Sequence, residues 1–342
     1  MQLGILGGGS WGTALALLWA ANGHRVKLWV RDPEQALRFR EERRNTKYLP
    51  DFPFPDDLQV TTLLEETVES CSVLCLAVPL QAYRPFLKKL QVSLREDHRL
   101  VLLSKGIELG TQRLPHQIVH EVLGPRWGNR QFTLSGPSFA REVAAGLPTT
   151  VVLAGNQVER LKVLQTELNC PSFRMYRNVD VLGVELCGAL KNVIAIASGI
   201  VEGLGLGRNT MAGLITRGLA EITRLGERLG ARRETFSGLA GMGDLILTCT
   251  GSLSRNLTVG LGLGRGRSLD AVLANLGMVA EGVHTARSAY ELALGVGIEM
   301  PISNVVYRIL YEGLSPSQAL KNLMSRSLKE ESAPRGSYSK KD

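Results

Sequence analysis

The chain has 342 residues, too many for one comfortable hydrophobic core, so two domains are expected. Hydrophobic residues make up 44% and charged residues 21%, a balance that excludes a disordered or fibrous chain. A net charge of +8 suits anionic metabolites, a membrane face or nucleic acid, but no dense basic patch with interleaved aromatics favours nucleic acid.

Residues 2–6 read as a short strand. The glycines that follow at once, without a basic start or a cleavage site, argue against a signal peptide. Residues 11–22 read as a helix rich in Ala and Leu, with Gly23 at its stop. Between strand and helix, Gly7-Gly8-Gly9-Ser10-Trp11-Gly12 matches the GxGxxG pattern of dinucleotide sites. Gly7 permits the tight turn, Gly9 lets a pyrophosphate approach the backbone, and Gly12 lets the helix pack on the strand. The helix N-terminus adds free N–H groups and a positive dipole end. Residues 25–30 form a second strand ending in Arg31 and Asp32. An acid there would bind the ribose hydroxyls of NAD, and an arginine the extra phosphate of NADP. With Arg31 so placed, NADP should be accepted, while Asp32 before Pro33 also reads as a helix start. Further strands are expected at residues 72–78, 100–104, 131–134 and 149–153. Their alternation with helices implies a parallel sheet covered on both faces.

Near Asp180 the pattern changes to helices. Residues 181–201 are apolar enough to raise a membrane span, but Glu185, Lys191 and Asn192 near the middle are costly in hydrocarbon. A buried helix of a soluble protein fits better. Met211, Leu214, Ile215, Leu219, Ile222, Leu225 and Leu229 mark one helix face, with Asn209 or Thr210 as its cap and Gly230 as its end. Residues 270–275, 285–294 and 315–324 read as further helices. The fold class is therefore an α/β Rossmann-like domain with a parallel-rich sheet over residues 1–180, an all-helical domain over 181–328, and a polar, frayed tail over 329–342. Five cysteines without CxxC spacing fit a reduced cytoplasm.

Lys191 is the foremost candidate for chemistry. Its run, Leu186 to Ala195, is otherwise nearly all apolar, and burial lowers the pKa of a lysine toward neutrality. Such a lysine suits acid–base work between a carbonyl and an alcohol. The alternative is a structural ion pair. Glu185, however, would sit about 120° away around the helix. Lys105 follows a strand's C-terminal end, where doubly wound sheets bind ligands. The run from Ser135 through Gly136 and Ser138 to Ala140 follows another strand, and could expose backbone N–H groups or form an ordinary turn. Asp244 ends a glycine-rich run and could bind substrate, tune a lysine or cap a helix. Ser254-Arg255-Asn256 at a helix start would cradle phosphate or simply cap. No His/Cys/Asp/Glu cluster has metal-ligand spacing, so no metal is expected.

Taken together, the segments 7–16, 104–108, 135–140, 184–192, 205–210, 241–245 and 254–256 resemble the bacterial-type NAD(P)-dependent glycerol-3-phosphate dehydrogenases, in order from residue 2 to about residue 325. That resemblance implies reduction of dihydroxyacetone phosphate by NADPH or NADH to sn-glycerol 3-phosphate, which feeds phospholipid synthesis. It implies Lys191 as proton donor, and Lys105, Gly136, Ser138, Asp244, Ser254, Arg255 and Asn256 at the substrate. It also implies Ser10, Trp11, Arg31, Lys105, Ala140, Arg255, Val279 and Glu281 at the cofactor. A β-hydroxyacid or sugar-phosphate dehydrogenase of the same architecture, or an NADPH-sensing regulator, stands as the alternative. Glycine-rich helices would allow a homodimer.

Overall fold

The computed structural model describes residues 1–276, 280–328 and 330–331. Its first part alternates strand and helix. In chain order these are β1 (Gln2–Leu6), α1 (Ser10–Ala21), β2 (Arg25–Trp29), α2 (Pro33–Glu41), a small hairpin of β3 (Arg44–Asn45) and β4 (Leu49–Pro53), β5 (Leu58–Thr61), α3 (Leu64–Ser70) and β6 (Val73–Leu76). After a short turn come α4 (Tyr83–Leu90), β7 (Arg99–Leu102), α5 (Pro115–Leu123), β8 (Gln131–Ser135), α6 (Ala140–Ala144), β9 (Thr149–Ala154), α7 (Val158–Leu168) and β10 (Phe173–Asn178).

Eight strands form one sheet in the order β10-β9-β8-β7-β6-β1-β2-β5. Six run parallel, and β9 turns against β8 and takes β10 with it. The sheet is thus parallel-rich, as expected, with a single antiparallel step between β8 and β9. Between β8 and β9 the chain forms only the five-residue α6, against the 12-residue α1 that links β1 to the parallel β2. Apolar strands are packed on both faces, by α1, α2 and α7 on one side and by α3, α4 and α5 on the other. The parallel order brings the loops after β1, β6, β7 and β8 to one edge.

The remainder is helical: α8 (Val181–Gly203), α9 (Gly207–Arg228), α10 (Arg233–Phe236), a π-helical turn (Leu239–Gly243), α11 (Asp244–Thr250), α12 (Arg255–Gly264), α13 (Leu269–Leu276), α14 (Glu281–Gly295), α15 (Pro301–Tyr311) and α16 (Pro316–Met324). Asp180 caps α8 by accepting from Gly183 N at 2.9 Å, and also holds Thr235 Oγ1 at 2.7 Å. By length and composition α8 could cross a membrane, yet its apolar window is wholly buried inside the protein. α9 begins at Gly207, without a side-chain cap, so neither Asn209 nor Thr210 caps it. Gly207 itself, at φ +82°, makes the turn. Gly230, at φ +96°, follows the helix end as the spacing predicted.

Glycines bring α8 and α12 into backbone contact. A Cβ on Gly260 would lie 1.9 Å from Ile196 O, and one on Gly199 would lie 2.0 Å from Leu257 O. Some of the glycines that suggested close packing between subunits are therefore used within the chain. Their effect is to set the start of α12 against the middle of α8, where Lys191 sits.

Candidate active site

The glycine loop has the shape its sequence predicted. Gly7 takes φ +132°, and a Cβ there would meet Ala77 O at 2.6 Å. A Cβ on Gly12 would meet Gly7 O at 2.1 Å, so helix and turn touch. A Cβ on Gly9 would meet nothing within 4 Å, which leaves an open approach to the first N–H groups of α1. No side chain caps that helix. A tight turn, an open face and an uncapped positive helix end fit the pyrophosphate of a dinucleotide. The loop is stiffened from behind by buried Asn45, which donates Nδ2 to Gly8 O at 3.1 Å and to Thr13 Oγ1 at 2.8 Å.

Just after β2, Arg31 is exposed and holds no ion pair among the described residues. Asp32 is engaged as the cap of α2, accepting from Glu34 N at 3.0 Å. Trp11 packs in the same cluster as Ala140, the first residue of α6. Glu281 opens α14, and its Oε1 accepts from Leu80 N at 3.4 Å. Its Oε2 is buried without a hydrogen-bond partner among the described residues. Burial raises the Glu281 carboxyl, while Leu80 N–H and the nearby Arg255 charge oppose that rise. Arg255 in turn is lowered by burial against the pull of Glu281. Val279 lies outside the described residues.

The centre of the site is one carboxylate between two ammonium groups. Lys191 Nζ donates to Asp244 Oδ1 at 2.5 Å and to Thr248 Oγ1 at 2.9 Å. Lys105 Nζ donates to Asp244 Oδ2 at 2.7 Å and to Gly136 O at 3.4 Å. Asp244 is 1% exposed and Lys191 is 7% exposed, so Lys191 is buried as its apolar run predicted. Burial brings the Lys191 pKa down to about 8 despite the opposing charge of Asp244. Asp244 is held low because the two lysines outweigh its own burial. The alternative of a structural ion pair is thus realised in part, but with an acid from α11 and not with Glu185. Glu185 instead accepts from Thr133 Oγ1 and meets His116 Nδ1, each at 2.6 Å.

The remaining candidates border this centre. Ser138 Oγ donates to Gly136 O at 2.9 Å. Ser254 caps α12, accepting from Leu257 N at 3.3 Å, and Arg255 is the first residue of that helix. Asn256 Nδ2 donates to Asn192 Oδ1 at 2.9 Å, and its own Oδ1 accepts from Gly282 N at 3.0 Å. The structure thus gathers Lys105, Gly136, Lys191 and Asp244 in direct contact, with Asn256 tied to the residue after Lys191. Two residues were given no site role from sequence. Thr248 stands one turn beyond Asp244 on α11 and binds both Asp244 O, at 2.6 Å, and Lys191. That four-residue spacing was its available signal. Asn192 stood out only as a polar group within the apolar run, next to Lys191.

Residues 2–161 match the family of the NAD-dependent glycerol-3-phosphate dehydrogenase N-terminus, and residues 180–321 that of its C-terminus. The chain belongs to the NAD-dependent glycerol-3-phosphate dehydrogenase family. It is 51% identical to the glycerol-3-phosphate dehydrogenase [NAD(P)+] of Geobacter sulfurreducens over 96% of this chain and 98% of that protein. It is 48% identical, over the same shares, to the enzyme of that name from Citrifermentans bemidjiense. The crystal structure of glycerol-3-phosphate dehydrogenase from Coxiella burnetii superposes with a TM-score of 0.91 at 41% identity, covering 95% of this chain and 99% of that one. The family accounts for the architecture: an NAD(P)-binding Rossmann-like part followed by a helical part.

Proposed function

We propose that this enzyme reduces dihydroxyacetone phosphate to sn-glycerol 3-phosphate with NADPH or NADH, using Lys191 as proton donor. The observation that carries the reading is a buried lysine paired to Asp244 and Thr248, with Lys105 on the other oxygen of the same carboxylate; burial pushes the Lys191 pKa down. The bound cofactor supplies the hydride. Lys191 gives its proton to the ketone oxygen as negative charge develops there, and recovers it in the reverse direction. Asp244 keeps the ammonium charged enough to act and aims it, and Thr248 fixes it from a second side. Lys105 shares the same carboxylate and so adds a second positive charge at the developing oxyanion.

Arg255 at the N-terminus of α12, with Ser254 and Asn256, holds the phosphate group; a guanidinium and a positive helix end favour the same anion. Gly136 and Ser138 border the substrate from the loop after β8. Gly7, Gly9 and Gly12 shape the turn under the cofactor. Ser10, Trp11, Arg31, Lys105, Ala140, Arg255 and Glu281 line the cofactor side. Residues 1–180 carry the cofactor and 181–328 the substrate; the start of α8 at Val181, under its Asp180 cap, supports that division. The enzyme works in the cytoplasm and supplies phospholipid synthesis. Five buried cysteines, each left as a thiol, agree with a reducing compartment.

Lys191→Ala tests the reading. It should leave circular dichroism and melting near those of the wild type and lower the steady rate of dihydroxyacetone phosphate reduction by about a hundredfold or more. Wild-type turnover in that variant would defeat the assignment.

A further inference from the structure

The turn that carries Lys105 is held more firmly than a solvated loop requires. Gln81, in the short turn before α4, donates Nε2 to Ile107 O at 3.1 Å and accepts from Leu109 N at 3.0 Å. Arg84 on α4 lays its guanidinium across the Glu108 carboxylate, with Nε at 3.1 Å from Oε1 and Nη2 at 2.7 Å from Oε2. Thr111 adds its hydroxyl to the same carboxylate. The backbone closes the turn, with Glu108 N donating to Arg113 O at 2.9 Å and Glu108 O accepting from Gln112 N at 3.0 Å. From the helical domain, Ser288 Oγ on α14 reaches Glu108 O at 3.3 Å. Arg84 Nη2 also binds Glu121 at 2.8 Å, and Glu121 binds Arg113 Nε at 2.6 Å. A chain of alternating charge therefore runs from α5 through α4 to the turn.

Stability alone is a poor reason for this arrangement. Glu108 is only 7% exposed, and a carboxylate that deep loses hydration which its partner roughly repays and no more. What the two-point fork supplies is direction. Between Glu108 and Lys105 stands Gly106 at φ +156°, where a Cβ would lie 3.1 Å from Leu80 Cδ2. The segment is short and closely packed, so a displaced Glu108 must displace Lys105.

We propose that Arg84 and Glu108 are positioning residues for Lys105, holding its ammonium at the mouth formed by Asp244 and Gly136. The inference rests on the role given to Lys105 in the proposed reaction. Misplacing a binding group by about 1 Å costs on the order of a hundredfold in rate, so losses between about tenfold and a hundredfold are expected.

A double-mutant cycle on the full-length enzyme tests this. kcat and KM for dihydroxyacetone phosphate with NADPH are measured for wild type, Arg84→Met, Lys105→Met and the double variant, at enzyme concentrations high enough to follow slow turnover. Arg84→Met should lower kcat/KM about tenfold or more in the wild-type background and less than about twofold in the Lys105→Met background, because its effect passes through Lys105. Arg84→Lys should not rescue it, since an ammonium cannot form the fork. Equal losses in both backgrounds, or full activity of Arg84→Met, would overturn the inference while leaving the reaction standing. No turnover by the wild type would remove the functional reading, and the inference with it.

Discussion

Replacing Asp244 by Asn should move the pH dependence of reduction downward. In the wild type, Lys191 must be protonated to donate, so kcat/KM for reduction should hold level below about pH 8 and fall as pH rises through that value. Oxidation of glycerol 3-phosphate should show the opposite slope, because it needs the neutral amine. Asp244 opposes the burial of Lys191 from 2.5 Å, and the Asn variant loses that charge while leaving Lys105 as an uncompensated neighbour. Two unit charges 4 Å apart interact by roughly 4 kcal/mol at an effective dielectric of 20. Halving that for relaxation around the altered side chain leaves roughly 2 kcal/mol, which lowers the midpoint by about one and a half pH units. The assay is the initial rate of NADPH oxidation at subsaturating dihydroxyacetone phosphate, across pH 5.5 to 10, for both enzymes. An unchanged midpoint in the variant, or a wild-type profile without a fall above about pH 8, would refute the reasoning.

Arg31 is exposed and free of ion pairs among the described residues, so Arg31→Ala should weaken NADPH relative to NADH by about tenfold, read as the ratio of their kcat/KM values. An unchanged ratio would place the 2′-phosphate elsewhere. Gly260→Ala puts a methyl 1.9 Å from Ile196 O, a backbone atom that cannot turn aside. The α8–α12 contact should then open at a cost of about 1–3 kcal/mol or more, lowering the melting temperature by several degrees. A melting temperature within one degree of wild type would contradict the close helix contact.

The fold was legible where periodicity is strong. Alternating apolar strands and a glycine turn before a helix pointed to the sheet, and the run from 181 to 201 pointed to the buried α8. What escaped was what depends on distant contact. β5 and β10 are short strands of mixed polarity at the two sheet edges, and their pairing partners, not their composition, make them strands. The reversal of β9 against β8 is likewise a matter of pairing that no local pattern announces. In the site, the burial of Lys191 could be read from its neighbours, but its acid partner lies 53 positions along the chain. No local pattern announces that Asp244 would serve two lysines, because the pairing is made by α11 packing on α8. The roles of Gly136, Ser138 and Glu281 came from likeness to a family, not from spacing.

The most direct measurement is loss of nicotinamide absorbance with dihydroxyacetone phosphate, run beside unphosphorylated dihydroxyacetone, with NADPH and with NADH. Rapid oxidation with the phosphate ester alone is the predicted result, and would place the Lys191 chemistry and the Arg255 phosphate grip in one active site. Equal rates with both ketones would contradict the phosphate grip. No oxidation with either, by enzyme that still binds NADPH, would contradict the proposed reaction itself.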